Sequence, residues 1–569
     1  MRADAEPSRR DARRHRVLGD SAAAIAAILL AACGDGAGGG PDAASQDRDD
    51  AGAGGQATPS HVSQAVVDAL GGAARAGWEG RLWNVTSGAE LPESWIFETP
   101  PADSWGGSAA EVEVAEPCDA EDAGDGDCDP DFGLLHCSTD DDCDGGGSCE
   151  PLASTVTAPG DDPDSLCVGH SHHAYESFYQ LIVEGEELVD VTSLFPPDGP
   201  FRAALRNAIT YLAHKDAAPL VRLQFASIIL DEFDVDELVA DLARDVPEDS
   251  ELVVALATYR EGYDSWNHAK IAAADGQEAI VGGMNMSATS YLRDAPVFDL
   301  SMHVRGALAA DAHRFADELW RFVCEGEFVG ETGLIDYAAA PAATVCPRDA
   351  GGDIERPEPA GDVWAASLGR LGDIGINAAD PAILEAMHAA QDSLKLSIQD
   401  LGPIQFGPVE YDSWPAPVLD ALATAVAGGV SVDILMTTPD EGGASGEGYS
   451  NGWTKRDAIE RIEERLRLSP SLLPEGVSPE DAICDHLQVA SLRPYDDSVW
   501  PGEEYFANHA KSFIVDERAF YIGSQNLYPA ELAEFGYLID DEDAAAELLG
   551  SYWDPLWASS EREIDDACG

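Results

Sequence analysis

Basic residues are what this chain most lacks. Its 569 residues carry 33 Lys plus Arg against 106 Asp plus Glu, a formal net charge of −73. A surface of that sign repels polyanions, because nucleic-acid binding leans on Lys and Arg neutralising phosphates. Nucleic acid is therefore not an expected partner. The acidity itself reads as a solvated surface that keeps the chain soluble. Long apolar runs are missing as well. The stretch Ala22–Leu30 is too short to span a bilayer as a stable helix, and nothing after it is longer and equally apolar. The apolar fraction of 45 % nonetheless suffices for large cores, and the length suits more than one domain.

The N-terminus has the layout of an export signal. Arg2, Arg9, Arg10, Arg13, Arg14 and Arg16 precede the short apolar stretch, which ends in Leu30-Ala31-Ala32-Cys33. That ending resembles a bacterial lipobox, which implies cleavage before Cys33 and lipidation of its thiol. Residues 1–33 are thus the signal of an exported lipoprotein, anchored to a membrane or at the cell surface. Residues 34–59 are Gly, Ala and Asp with almost nothing to bury, a flexible tether. Setting Cys33 aside leaves ten of the eleven cysteines, an even number that suggests disulfides in an exported chain. Six of them lie in an acidic insertion over 103–168 and should pair among themselves. Cys324 and Cys346 should close a short loop, and Cys484 and Cys568 pair by elimination. The run Asp140-Asp141-Asp142 lacks the ligand spacing of an EF-hand, and the cysteines do not follow a zinc pattern, so the insertion reads as a plain disulfide module.

Elsewhere strands and helices alternate. Strands are expected at Val189–Leu194, Val221–Phe225, Val253–Thr258, Ala269–Ala274, Leu394–Ile398, Val430–Met436, Leu487–Leu492 and Ser512–Val515. Helices are expected at His61–Ala74, Phe201–Ala213, Val235–Ala243, Ala310–Val323, Ala382–Gln391, Pro417–Ala427 and Thr454–Leu468. The fold class is α/β: two homologous halves, 60–355 and 356–569, each a mainly β-sheet core flanked by helices, with the linker near 348–362 and the active site at the junction.

The two halves share one motif. Asn267-His268-Ala269-Lys270 runs on to Asp275 and to Gly282-Gly283-Met284-Asn285. Asn508-His509-Ala510-Lys511 runs on to Asp516 and to Gly523-Ser524-Gln525-Asn526. On extended backbone the His and Lys of each copy, two positions apart, share a face. Two imidazoles, two ammonium groups and the carboxamides of Asn285 and Asn526 suit a tetrahedral phosphate. One His can attack phosphorus and the other can protonate the leaving alcohol. The lysines supply the positive charge, so no metal or cofactor is expected. Each His needs an acceptor on its far nitrogen; the candidates are the acids that follow each motif, Asp299 in the first half and Glu534 in the second. Asp275 and Asp516, an odd number of positions from their His, should point away and tie down the following turn. Gly282, Gly283, Gly523 and Ser524 should let the backbone approach the phosphate.

The doubled His-x-Lys-x4-Asp pattern resembles the phospholipase D superfamily, and its flanks are similar to secreted bacterial phospholipases D. Those flanks include Val189–Leu194, Gly448-Tyr449-Ser450, Asp485-His486-Leu487-Gln488 and Ala519–Pro529. The resemblance covers roughly 60–102 and 174–569. It implies a phosphohistidine intermediate with His268 as nucleophile and His509 as general acid, then base. It further implies a phospholipid substrate at a membrane surface, yielding phosphatidic acid with water or an exchanged head group with an alcohol; a monomer is expected. Three departures stand out: Met286-Ser287-Ala288 where relatives carry a Trp, Glu534 where they tend to carry Asp, and no Cys near Asp400 to partner Cys484. The alternatives are another phosphodiesterase on this scaffold, a nuclease or cyclising phospholipase, and a non-catalytic lipid-binding lipoprotein. Aromatic residues around Tyr411–Trp414 and Tyr495–Tyr505 are candidates for lipid contact or for core.

Overall fold

The computed structural model describes residues 59–568, except 73–74, 119–127, 144–145, 229–232, 262–264, 326–336, 341–353, 373–376, 407–408, 412, 438–448 and 564–567. Cys33 and Cys346 lie outside the described residues, and with them the lipidation site and the Cys324–Cys346 bridge.

Two nine-stranded sheets carry the fold. The first runs, in spatial order, Ser265–Trp266, Val253–Glu261, Leu220–Ala226, Leu188–Ser193, Ile271–Ala274, Glu278–Gly282, Asp299–Arg305 and Ile96–Thr99, with Tyr337–Ala340 also paired to Val253–Glu261. The second runs Trp83–Ala89, Val363–Leu371, Ala533–Asp540, Ala519–Gly523, Lys511–Val515, Ser393–Ile398, Ser431–Met436, Leu487–Ser491 and Glu561–Glu563. In both, three parallel strands are continued by the antiparallel strands that follow each motif. Helices or the partner sheet cover both faces of the parallel strands, so all of Leu188–Ser193 is buried although Asp190, Thr192 and Ser193 are polar.

Helices His172–Glu184, Gly199–Ala213 and Val235–Leu242 cover the first sheet. Helices His61–Leu70, Ala379–His388, Ala416–Ala427, Lys455–Leu468 and Pro479–His486 cover the second. Lys455–Leu468 begins at a capping box between Thr454 and Asp457, buries Ile459, Ile462 and Leu466 at helical spacing, and ends on Arg465 and Arg467, charges that suit a helix C-terminus. The first helix stops at Leu70 rather than Ala74, where Gly71-Gly72, poor helix formers, follow. The long helix Ala307–Glu325 packs on strands of both sheets. Beside it Ile271, Val281, Leu300 and Met302 meet Ile514, Phe520, Ile522 and Phe535 in one shared core. The sheets thus join mainly through buried side chains, with isolated backbone bridges at Asn267–Ala533 and Phe298–Asn508.

The chain crosses between them early. The helix His61–Leu70 packs on Ala379–His388, and strand Trp83–Ala89 pairs antiparallel with Val363–Leu371. The segment 61–89, which precedes the whole first sheet, therefore builds onto the second.

The insertion carries three bridges, Cys118–Cys128, Cys137–Cys149 and Cys143–Cys167, as expected. It does not stand apart. Phe132, Leu134, Leu152, Leu166 and Val168 enter the same cluster as Tyr175 and Phe201. Asp131 pairs with Arg206 and Arg244 at 2.8 and 2.7 Å. Its acids act as caps: Asp142 accepts from the N–H groups of Ser138 and Thr139, and Asp140 from that of Cys149. Cys484 pairs with Cys568, and the stretch without the relatives' Cys is tied instead by Asp400, which accepts from Gly402 and Asn451 N–H. No helix among the described residues is long and apolar enough to cross a membrane.

Candidate active site

Each motif enters the seam between the sheets as extended backbone, and each docks on the other half. Asn267 bridges Ala533 and Asn508 bridges Phe298. His268 N donates to Ala533 O at 2.9 Å, and His509 N to Phe298 O at 2.7 Å. The motif asparagines hold this shape from below. Asn267 Nδ2 donates to Thr192 Oγ1 and Ser193 O while its Oδ1 accepts from Ala269 N. Asn508 does the same with Ser397 Oγ, Leu435 O and Ala510 N. Sequence reasoning gave these asparagines no role; their position directly before both histidines was the available signal.

The reciprocal docking sets the orienting bonds. Residue 534 follows Ala533, so its carboxylate reaches His268: Glu534 Oε2 lies 2.9 Å from His268 Nδ1. Residue 299 follows Phe298, and Asp299 Oδ2 lies 2.6 Å from His509 Nδ1. The two expected acids do lie against the histidines, each against the one of the opposite half. Both rings are held through Nδ1, which leaves Nε2 for chemistry. The acids are themselves held. Ser524 Oγ donates to Glu534 at 2.5 Å, and Arg370, 5 % exposed, lies 3.7 Å from it. Tyr291 OH donates to Asp299 at 2.7 Å. Tyr291, Arg370 and the role of Ser524 were not foreseen, because only the folded seam brings them to the acids.

The lysines Lys270 and Lys511 are buried, and each Nζ donates to the carbonyl of its own motif histidine. Asn285 accepts from Ser193 Oγ, and Asn526 Nδ2 donates to Tyr528 OH at 2.6 Å. The Tyr449 ring stands edge-on to His509 at 4.8 Å. Burial governs the electrostatics. It pushes His268 down to about 4 despite Glu534, and His509, with Lys511 adding, down to about 3. It also pushes Lys511 down to about 8 and, with the Lys511 ammonium, Lys270 well below its usual value. Burial opposes charge on Asp299 and Glu534 too. There the facing histidines and lysines outweigh it, holding both carboxyls below the usual range. The lysine of each motif acts on the histidine of the other, so the two copies form one site.

The other motif residues meet backbone and packed protein atoms. Asp275 points away, as expected, but braces the chain entering a neighbouring strand and not the turn that follows. It accepts from the N–H groups of Glu186, Glu187 and Leu188. Asp516 likewise accepts from Gln391, Asp392 and Ser393 and from His61. The glycines make room for close protein contacts. A Cβ on Gly283 would lie 2.0 Å from Asp299 Oδ1, one on Gly282 2.3 Å from Ser301 Cα, and one on Gly523 2.7 Å from Gly536 Cα. Of the aromatic lipid-contact candidates, Tyr495 and Trp500 are core, stacked around Phe298 and Phe506. Trp414 packs edge-on against Trp453.

No protein-family profile matches the chain. The chain is 28 % identical over 472 residues to a phospholipase D of Streptomyces antibioticus, covering 74 % of this chain and 83 % of that one. Among solved structures, it matches a phosphatidylserine synthase of Haemophilus influenzae Rd KW20 at 15 % identity and a TM-score of 0.43, over 69 % of this chain and 85 % of that one. It also matches Nuc, a phospholipase D family member of Salmonella typhimurium, at 16 % identity and a TM-score of 0.22, over 35 % of this chain and 99 % of that one. The doubled motif, closed here into a single site by reciprocal contacts, and the similarity to the Streptomyces phospholipase D both resemble what the phospholipase D superfamily shows.

Proposed function

We propose that the chain is a phosphodiesterase of the phospholipase D type that hydrolyses the head-group phosphodiester of glycerophospholipids. The observation that carries this reading is the crossed pair of histidines, each oriented through Nδ1 by a buried carboxylate of the other half. His268, which burial keeps neutral, attacks phosphorus through Nε2. The P–N bond forms as the P–O bond to the head group breaks, and His509 gives its proton to the departing oxygen. Water then attacks phosphorus, His509 takes its proton, and the P–N bond breaks to release phosphatidic acid. An alcohol in place of water exchanges the head group. The phosphate's negative charge raises the proton affinity of Lys270, Lys511 and His509 together, so the charged forms the reaction uses are those the substrate favours. A body of net charge −73 is a poor match for nucleic acid.

The bridges Cys118–Cys128, Cys137–Cys149, Cys143–Cys167 and Cys484–Cys568 suit an oxidising compartment. With the signal at 1–33 they support an exported protein, anchored through Cys33. The test is choline release and phosphatidic acid formation from phosphatidylcholine vesicles by the purified protein, with His268→Ala and His509→Ala as controls. Both variants should lose nearly all turnover. Cleavage of an oligonucleotide with no release from any vesicle would overturn the lipid assignment.

A further inference from the structure

The most exposed large apolar side chains among the described residues sit together. Leu468, Leu472 and Val477 are 66, 41 and 37 % exposed, on a tip at 468–477 that links helix Lys455–Leu468 to helix Pro479–His486. Residues 468–474, Leu-Ser-Pro-Ser-Leu-Leu-Pro, carry no charge in a chain where 24 % of residues do. A 3₁₀ turn at Pro470–Leu472 shapes the tip. Single apolar residues scattered on a surface need no explanation, but a cluster with a polar rim marks a contact surface. The rim is present: Arg467 pairs with Glu463 and Glu480 at 2.6 and 2.8 Å.

The place of the tip in the fold identifies what covers it. Strands Ser431–Met436 and Leu487–Ser491 are parallel, so the connection between them returns the chain to the end of the sheet where both strands begin. Helix Lys455–Leu468 makes that return. It starts beside Trp453, whose Nε1 donates to Pro403 O beyond the finish of strand Ser393–Ile398, and runs about 20 Å to the tip. The motif residues lie at the finishing ends of these strands, where Lys511 pairs with Ile398 and Asn508 bonds Ser397 and Leu435. The first described residues lie at the beginning end, as the tip does. His61 meets Asp516, which accepts from Ser393 N at the start of Ser393–Ile398, and Ser60 meets Asp540. Residues 1–58, with the proposed anchor at Cys33, therefore join the body at the end that carries the tip.

We propose that the tip at 468–477 docks on a zwitterionic lipid surface, that of the membrane holding the anchor, and that the crossed histidines face away from it. Charge selects the lipid. A chain of net charge −73 is repelled by an anionic surface, whereas an uncharged apolar tip enters a zwitterionic one without that penalty. A lipid substrate then comes from a facing membrane, because the site stands about 20 Å from the docked end. That last step rests on the phosphodiesterase reading; docking itself does not.

The test reads docking without catalysis. The full chain carrying Cys33→Ser, which removes the proposed lipid, is floated with phosphatidylcholine vesicles, and backbone hydrogen exchange is mapped on the bound form. A bound fraction is expected, with exchange slowed over 467–478 and unchanged over Tyr449–Trp453 beside His509. Adding Leu468→Glu and Leu472→Glu together should weaken partition roughly tenfold or more, since apolar contact is exchanged for charge. Their melting temperature should match that of the parent chain, which shows that they fold. Anionic lipid mixed into the vesicles should lower the bound fraction. No flotation, equal flotation by the double variant, or a bound fraction that rises with anionic lipid would overturn the proposal. Protection at Tyr449–Trp453 in place of the tip would do the same. Docking as expected by a chain that cleaves no phosphodiester would uphold the surface and sink the enzymatic reading instead.

Discussion

Glu534 and Asp299 each orient a histidine that the other half of the chain provides, and this crossing makes testable demands on single residues. In imidazole ¹⁵N spectra, Glu534→Gln should shift His268 and spare His509, and Asp299→Asn should do the reverse. A shift confined to the histidine of the same half would contradict the crossing. Either loss should cost activity by about 10–100-fold, the usual penalty for an orienting partner. The two acids differ in support. Glu534 faces the Arg370 guanidinium and Ser524, whereas Asp299 has the neutral Tyr291. Arg370→Met would leave more negative potential at His268, so the acid limb of kcat/KM should move up by about one pH unit. The buried imidazoles also set an acid limit on folding. His268 sits at about 4 and His509 at about 3, both below the ordinary 6.5. Folded values depressed in this way mean that the unfolded chain binds protons first as pH falls. Stability present above pH 6.5 is therefore lost as pH falls toward 4 and then 3. The melting temperature should drop over that window, and His268→Asn should shallow the drop.

At the scale of elements, the two motif aspartates act as braces. Asp275 and Asp516 have φ of 53° and 52°, the left-handed region, and their carboxylates gather the N–H groups at the entry to Leu188–Ser193 and Ser393–Ile398. Asp275→Ala should destabilise by about 1–3 kcal/mol, since backbone donors lose their acceptor. Asp275→Asn, which tolerates this φ and keeps one acceptor oxygen, should cost less. Denaturant melts rank them; a variant with unchanged stability but lost turnover would assign Asp275 to chemistry after all. Elements with strong periodicity or a continuous apolar run were legible in the sequence, among them Gly199–Ala213, Leu220–Ala226, Ala416–Ala427 and Ser431–Met436. So were the motif residues, because the pattern is doubled. The strands Asp299–Arg305 and Ala533–Asp540 were not read as strands. Every residue of Ala533–Asp540 is buried in mid-sheet, so no alternation of polar and apolar marks it. The placement of Trp83–Ala89 on the far sheet was likewise beyond reach, since nothing local in a strand names its partner. The crossing of Glu534 and Asp299 followed from the same kind of long-range pairing, at Asn267 with Ala533 and Phe298 with Asn508.

For the molecule as a whole, the net charge of −73 governs how it meets its proposed substrate surface. Vesicles of zwitterionic lipid present no net field at the start of the reaction. Each turnover of the proposed reaction leaves an anionic phosphatidic acid in the surface, so the surface grows more repulsive to an acidic protein as product accumulates. At about 0.01 M salt the Debye length is ~30 Å and the repulsion reaches well beyond contact; near 1 M it is ~3 Å and the repulsion is confined to touching groups. Progress curves on phosphatidylcholine vesicles should therefore bend early at low salt and straighten as salt is added. Vesicles doped with anionic lipid at the outset should start slowly and gain most from salt, while a soluble phosphodiester shows little of either effect. The sign is the discriminating feature. An enzyme that recruited itself to lipid through basic patches would be slowed by salt and helped by anionic lipid, and that outcome would mean a local cationic surface overrides the charge of the chain.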